Sequence, residues 1–331
     1  MEERVIHRAM QILEEKTGLK TRWYANAKDK TFDGTLEIKG ERKKYKLPAI
    51  FKRDIKNIHL VQFQEIKDLA DDFIIIAEVI YPGIRERLRG MGMNYFDMAG
   101  NCYIKKEEWI FLIEGFKNEQ RLELKKEVTF TKTSLLLLFH FLNDEDYLNA
   151  TYRQMAEDYG IALGNITKIL KAFKAQGYLL QYDKKTLRLK NKKQLLDQWV
   201  NAYEFKLKPT LEIGRFRFTT GLDKEWKKIP IKIEETQWGA EPAAELLTGY
   251  LKPGILTFYT ASLKGDLIKH YRLAPDPKGN LFVYKKFWKF HNPAEETVPP
   301  ILVYADLINT GDPRNIETAR KIYDGLLKDQ F

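Results

Sequence analysis

The residues best suited to chemistry are acidic side chains close to a lysine, near the amino-terminal end of the sequence. Glu37-Ile38-Lys39, with Asp33 upstream, has the residue order of the metal site in restriction-endonuclease-like folds. In such sites two carboxylates hold the metal ion and the lysine orients the attacking water. A later strand-like run, IIIAEVIY, contains Glu78 but has Ile80 where the lysine is needed. A metal-dependent DNA nuclease is therefore only the alternative hypothesis, because Glu78 lacks its lysine and Glu37 falls on the first strand-like run.

A second polar cluster lies in NYFDMAGNCYI, residues 94–104. Asp97 and Asn101 surround Gly100, and this combination is typical of a tight connection between strands. A carboxylate site at Asp97 is the other interpretation. Cys102 is the only cysteine in the sequence, and no histidine lies at a spacing typical of a nucleophile pair. We therefore expect a structural turn at this position.

The carboxyl-terminal part offers carboxylates with simple structural explanations. Glu241 and Glu245 are four residues apart, so they share one face of a helix that we expect to be solvated. Asp306 and Asp312 are expected to be caps or turn residues, with Asp312-Pro313 opening the final helix. The histidines are too scattered for a metal site, and no phosphate-binding loop occurs. The sequence thus predicts no catalytic residue, no metal ion and no cofactor.

The positive charge of the chain is concentrated in its middle. There are 56 Lys and Arg against 46 Asp and Glu, which gives a net charge of +10. Residues 168–193 alone contain nine bases and one acid. Such a concentration suggests a polyanionic partner, although a solvated charged surface is the plainer alternative. The charged amino terminus and the lack of a long apolar run predict no membrane span and a cytoplasmic protein.

The element pattern predicts an α+β chain of three domains, at residues 1–127, 128–208 and 209–331. The first is a small α/β domain with the element order helix, strand, strand, strand, helix, strand, as in a restriction-endonuclease-like fold in degenerate form. Its strand-like runs are Thr35–Ile38, Tyr45–Lys52, Phe73–Ile80 and Glu108–Phe116. The third is another α/β domain. Its expected strands are Arg215–Thr220, Ile229–Glu234, Ile255–Thr260, Ile268–Arg272 and Leu281–Phe287, and its expected helices are Glu241–Gly249, Pro299–Ile308 and Ile316–Lys328.

The middle domain has the order of parts of a winged helix–turn–helix, in which three helices precede two short strands. The expected helices are Thr131–Leu142, Thr151–Tyr159 and Leu163–Gln176, and the expected strands are Tyr178–Tyr182 and Thr186–Leu189. Gly160 supplies the sharp turn between the second and third helices, and Gly177 ends the third. His140 on the first helix is expected to be a core histidine rather than a metal ligand.

The outer face of the third helix and the hairpin would contact duplex DNA. Asn and Thr side chains suit hydrogen bonds to base edges, and lysines suit phosphates or guanine edges. The predicted DNA-binding residues are Asn165, Thr167, Lys168, Lys171 and Lys174 of the helix, with Lys184, Lys185 and Arg188 of the wing. A winged helix used only for protein interaction, as in a scaffold that binds no DNA, is the remaining interpretation.

Four segments together resemble the AbiEi-like family of transcriptional regulators, the antitoxins of bacterial type IV toxin–antitoxin systems. They are NYFDMAGNCYI, the winged helix, WGAEPAAELLTGYL and PPILVYADLINTGDPRNIETARKIYDGLL, and the last two are the most specific. The resemblance spans about residues 70 to 330. Better-known members begin with the winged helix, whereas about 130 residues precede it here.

The resemblance implies a repressor that binds inverted repeats in double-stranded DNA at its own operon. Its functional partner would be a nucleotidyltransferase-like toxin, which it counteracts without a stable complex. The carboxyl-terminal domain would be the antitoxin part, with no catalytic residues to carry over. Inverted repeats mirror a two-fold protein axis, so a homodimer is expected. The first domain would be a nuclease-like fold retained for binding or dimerisation.

Overall fold

The computed structural model describes residues 2–25, 31–39, 44–55, 57–70, 72–106, 109–116, 130–183, 186–231, 235–290, 292 and 296–331. Two compact units are formed by Met1–Lys125 and Lys126–Phe331. Each combines helices with strands, in agreement with the predicted α+β class. The predicted boundary at residue 127 lies outside the described residues. The division of the second unit at residue 208 stays a prediction.

The first unit is built on a seven-stranded sheet in which the strands follow one another in chain order. Its elements are α1 (Glu2–Thr17), β1 (Lys20–Ala25), β2 (Gly34–Lys39), β3 (Lys44–Asp54), α2 (Asn57–Leu69), β4 (Ile74–Val79), α3 (Pro82–Gly90), β5 (Asn94–Asp97), β6 (Cys102–Lys106) and β7 (Trp109–Ile113). Strands β3, β4 and β5 are parallel, and the other neighbouring pairs are antiparallel.

Two apolar cores cover the two faces of this sheet. On one face, Ile6, Ala9 and Leu13 of α1 pack with sheet residues, as the helical spacing of these residues predicts. On the other, Leu60 and Phe63 of α2 pack with Ile84 of α3. The sequence prediction lacked β1 and α2. The run IIIAEVIY was therefore expected as the third strand, but it forms the fourth, β4.

The first half of the second unit is helical and ends in a small hairpin. Its elements are α4 (Lys132–Asn143), a 3-10 turn (Asp146–Asn149), α5 (Tyr152–Tyr159), α6 (Leu163–Ala175), β8 (Leu179–Gln181) and β9 (Leu187–Leu189). A helical passage follows as α7 (Lys192–Ala202), a π-helical turn (Tyr203–Leu207) and α8 (Lys208–Leu211). Thr131 caps α4 by accepting a hydrogen bond from the amide of Ser134.

The second half of this unit contains a five-stranded sheet of order β11-β12-β14-β10-β13. Its elements are β10 (Glu212–Phe218), a 3-10 turn (Leu222–Lys228), β11 (Thr236–Trp238), α9 (Ala240–Thr248), β12 (Leu256–Thr260), α10 (Lys264–Tyr271), β13 (Leu273–Pro275), β14 (Leu281–Lys285), α11 (Pro300–Thr310) and α12 (Pro313–Ile322). The expected strand Ile268–Arg272 is wrong, because most of it belongs to α10. The four-residue spacing of the buried Leu267 and Tyr271 is helical.

His140 lies in the core, as predicted, with only 4% of its surface exposed. Its ring stacks on that of Tyr147 with the centroids 3.4 Å apart. Its Nδ1 atom is 2.8 Å from the hydroxyl of Tyr159. Burial lowers the pKa of His140 to about 4, although the carboxylates of Asp144 and Asp158 oppose the shift.

This lowered pKa makes stability depend on pH in a defined window. An unfolded histidine takes up its proton near pH 6.5, whereas folded His140 does so near pH 4, so protonation favours the unfolded chain between these values. We expect the free energy of unfolding to fall by roughly 2 kcal/mol as the pH decreases from 6.5 to 4. Urea unfolding across this range measures it. The His140→Phe variant should lose most of this dependence, and His270→Gln, at an exposed histidine, should keep it; equal slopes in all three proteins would contradict the assignment.

Candidate nucleic-acid interface

Helix α6 has one buried and one exposed face. Its buried face consists of Ile166, Ile169, Leu170 and Phe173. The side chains of Asn165, Lys168, Lys171 and Lys174 are exposed, and that of Thr167 is half-buried. Since positions three and four apart share one side of a helix, the three lysines form a single stripe. We call Asn165, Thr167 and these three lysines the α6 face.

The cations of the α6 face are not engaged within the described part of the chain. Neither the three lysines nor Asn165 and Thr167 have a side-chain hydrogen bond or ion pair there. Some other basic groups of this unit are paired: Lys192 with Glu145 at 2.7 Å, for example, and Lys227 with Glu245 at 2.8 Å. As far as the described residues show, the hydrogen-bond donors of the α6 face are therefore available to solvent or a partner.

A left-handed glycine sets the angle at which α6 leaves α5. Gly160 has φ +61°, a conformation that costs a residue with a side chain more than it costs glycine. The amide of Ile161 then bonds back to the carbonyl of Ala156 at 2.9 Å. The side chain of Ile161 is buried at the corner between the two helices.

The hairpin after α6 is anchored by residues that the sequence analysis did not identify. Asn149 bonds both polar backbone groups of Leu187, accepting at 2.8 Å and donating at 3.2 Å. Glu145 accepts from the amide of Leu189 and from the Lys192 ammonium. Burial would raise the pKa of Glu145, but these bonds outweigh it and lower the pKa. No spacing rule links these residues, because they lie about 40 positions apart.

Three of the predicted DNA-binding residues belong to the predicted wing. Lys184 and Lys185 lie outside the described residues. Arg188 is exposed on β9, and its Nη1 atom is 3.3 Å from the carboxylate of Asp146, itself 88% exposed. Such an exposed ion pair contributes little stability, so Arg188 can exchange its partner at small cost.

The carboxylates that suggested a nuclease have other partners or are buried. Asp33 accepts from the amide of Phe51 at 2.7 Å, Glu37 is buried in β2, and Glu78 is 4.0 Å from Arg53. The expectation that Glu37 lies on the first strand is wrong, because β1 precedes it. Among the residues that the structure describes, no three acidic, histidine or cysteine side chains are grouped so as to hold a metal ion.

Asp97 forms the predicted turn between β5 and β6. Its Oδ1 atom accepts from the amides of Ala99 and Asn101 at 2.9 and 3.0 Å, and Oδ2 accepts from the Asn101 side chain. Burial raises the pKa of Asp97, and the hydrogen bonds from Asn101 oppose this. Burial likewise raises the pKa of Cys102 to about 11, so its thiol stays protonated at neutral pH.

Two expectations about carboxylates in the carboxyl-terminal region are wrong. Glu241 is buried rather than solvated, and it accepts from the amides of Gly254 and Ile255 and from the side chain of Asn315. Asp306 is neither a cap nor a turn residue, since it lies inside α11 and is 2% exposed. By contrast, Asp312 does cap α12, by accepting from the amides of Arg314 and Asn315.

Asp306 is the centre of a buried polar network. Its carboxylate accepts from the hydroxyls of Tyr203 at 3.2 Å and Tyr259 at 2.9 Å, and the Lys208 ammonium is 3.0 Å away. Burial, and after it the Asp306 charge, raise the pKa of both tyrosines well above the usual value. Burial would lower the pKa of Lys208, but the carboxylates of Asp306 and Glu204 raise it. The network thus joins the π-helical turn and α8 to β12 and α11.

Part of this chain is similar in sequence to a known protein family. No curated protein and no solved structure matches the sequence. No helix in the described ranges is long and apolar enough to span a membrane. Residues 188–328 match the profile of a family described as transcriptional regulator, AbiEi antitoxin, type IV toxin–antitoxin system. The matched range contains the motifs at 238–251 and 299–327 and begins within β9, and over this range the resemblance inferred from the sequence is confirmed.

Proposed function

We propose that the chain is a DNA-binding transcriptional regulator, and specifically the antitoxin of a type IV toxin–antitoxin system. Its family match over residues 188–328 supports the regulator and antitoxin classes. The α6 face is the single observation that carries DNA binding, because it presents three exposed lysines without a protein partner in the described part of the chain. In this proposal α4–α6 and the β8–β9 hairpin are a winged helix–turn–helix.

The α6 face suits the major groove of duplex DNA. An exposed α-helix fits that groove, and its first residues reach the base edges. Asn165 and Thr167 lie in the first turns of α6 and would read base edges, while Lys168, Lys171 and Lys174 would contact phosphates or guanine. On the wing, Arg188 would leave Asp146 and contact a phosphate. Lys184 and Lys185 of the wing would contact phosphates as well.

The proposed target is an inverted repeat at the protein's own operon, bound by a homodimer. A two-fold symmetric site requires two copies of the reading helix, related by the same symmetry. The toxin partner would be nucleotidyltransferase-like, counteracted by the carboxyl-terminal region without a stable complex. The protein would act in the cytoplasm as a non-enzymatic repressor, and residues 1–127 would serve binding or dimerisation.

A gel-shift titration with the full chain tests the DNA contact. The probes are the duplex upstream of its own gene and an unrelated duplex of equal length, both at low salt. We expect selective binding to the first, weakened at least tenfold by Lys168→Ala with Lys171→Ala. A matched control is Lys252→Ala with Lys269→Ala, which removes the same charge from exposed positions elsewhere and should bind as the native protein does.

Three outcomes would contradict the proposal in different ways. If neither duplex is shifted at low salt, the chain does not bind DNA. If both double variants lose affinity equally, net charge rather than the α6 face accounts for binding. If the duplex is cut when magnesium is added, and Glu78→Gln abolishes the cutting, the chain is a nuclease.

A further inference from the structure

The first unit contains a cavity of about 380 Å³ that the proposed function does not use. It lies where the parallel strands β4 and β5 end and α3 begins, and crevices at the carboxyl ends of parallel strands are frequent ligand sites. Its volume is within the range of about 300–1,000 Å³ that is usual for small-molecule pockets. Its walls are mostly apolar, with Val79, Ile80, Pro82, Ala99 and Phe116 among the lining residues.

Arg85 is the cationic group that lines this cavity. It is 7% exposed, and its Nη1 atom donates to the carbonyl of Ile80 at 2.9 Å. Its Nε atom is buried and has no hydrogen-bond partner among the described residues. Burying a guanidinium with an unused donor is costly, and a ligand that accepts a hydrogen bond would remove this cost.

The neighbouring carboxylates do not satisfy Arg85. Asp97 and Glu114 each approach it only to 3.7 Å, which is too far for a hydrogen bond. Asp97 is occupied by the Asn101 side chain and by two amides, as described above. Glu114 accepts at 2.8 Å from Arg89 and at 2.7 Å from the hydroxyl of Tyr95. The two acids therefore compensate the charge of Arg85 but leave its Nε donor without a hydrogen bond.

Two further features favour a negatively charged ligand at this place. Helix α3 begins at the cavity with Pro82. Its N-cap residue, Tyr81, makes no side-chain capping hydrogen bond, so the positive end of the helix dipole faces the cavity uncapped. The ammonium of Lys16 lies 4.2 Å from the ring of Phe116, which lines the cavity. Apolar walls with a cationic end suit a ligand that has a flat apolar body and one anionic group.

We propose that this cavity binds a small aromatic anion, with its carboxylate or phosphate on Arg85 and its ring between Pro82 and Phe116. The guanidinium offers a planar pair of donors that matches either group. This proposal is independent of DNA binding.

Isothermal titration calorimetry on the full chain tests the proposal with three probes that share one ring system. They are 1-naphthoate, 1-naphthyl phosphate and the neutral 1-naphthalenemethanol. We expect at least one anion to bind at least tenfold more tightly than the neutral probe, and the comparison of the two anions distinguishes carboxylate from phosphate. Absence of binding by both anions at millimolar concentration, or equal affinity for the neutral probe, would overturn the proposal.

Variants connect the binding to this cavity. Arg85→Met should weaken the anion at least tenfold, whereas Arg87→Met on the same helix, which does not line the cavity, should leave it unchanged. Ala99→Leu should also weaken binding, because it fills the cavity while keeping Arg85. This second variant decides the question if Arg85→Met fails to fold, as judged by circular dichroism. Unchanged affinity in a folded Arg85→Met or Ala99→Leu protein would refute the site.

Discussion

Replacing Asp306 by alanine is expected to lower the free energy of unfolding of the second unit by about 3–5 kcal/mol, the usual cost of breaking a buried ion pair. The change removes the acceptor of two buried tyrosine hydroxyls, those of Tyr203 and Tyr259, and the nearest counter-ion of Lys208. The two hydroxyls still contact each other at 2.6 Å, so one can donate to the other, whereas the second hydroxyl proton and the Lys208 ammonium each lose a partner. The carboxylate of Glu204, which is 3.3 Å from the Lys208 ammonium, can compensate only part of the charge that Lys208 keeps.

Urea unfolding followed by tryptophan fluorescence measures the effect, since Trp199 stacks on Tyr203 with the centroids 5.0 Å apart. Asp306→Asn is the matched variant: it keeps an acceptor oxygen for the tyrosines and should lose less stability than alanine. Combining Asp306→Leu with Lys208→Met removes both charges and should recover part of the loss. A cost below about 1 kcal/mol for alanine would mean that the network does not stabilise the fold.

Asp306 also shows why sequence reasoning failed at this site. Its interpretation as a cap rested on the frequent role of aspartate at helix ends, whereas it lies within the apolar helix PPILVYADLINT. A charged residue inside an apolar stripe is itself a signal of a buried partner. The partners could not be named, because Tyr203 and Tyr259 are 103 and 47 positions away and only the tertiary fold brings them together.

Local patterns predicted the helical middle region much better. The apolar spacing of α6 and the glycines at 160 and 177 depend only on neighbouring residues, so the helix ends and the left-handed turns followed from the sequence. Strand β1 gave no such signal, because most of its side chains are exposed. The helical period predicts which residues form the α6 face, but their lack of partners among the described residues depends on the tertiary fold.

Removing all three lysines of the α6 face should change the salt dependence of DNA binding as well as the affinity. If all six predicted cations each neutralise one phosphate, the slope of log K against log salt is about −5.4 for each bound copy. These cations are Lys168, Lys171, Lys174, Lys184, Lys185 and Arg188. Raising salt from 50 to 200 mM would then weaken the binding of each copy by roughly 1,800-fold. The triple alanine variant should reduce the slope by about 2.7 for each copy, because released counter-ions scale with the phosphates contacted.

This change in slope separates direct phosphate contact from a general effect of charge. The control variant Lys252→Ala, Lys269→Ala, Lys278→Ala removes the same charge from exposed positions outside α6. Distant charges act through the screened field of the whole protein and shift affinity slightly, whereas displaced counter-ions set the slope. Filter-binding titrations at four salt concentrations measure both quantities. If the two triple variants have the same slope, the α6 lysines do not contact the backbone, and the reading helix must be sought in another element.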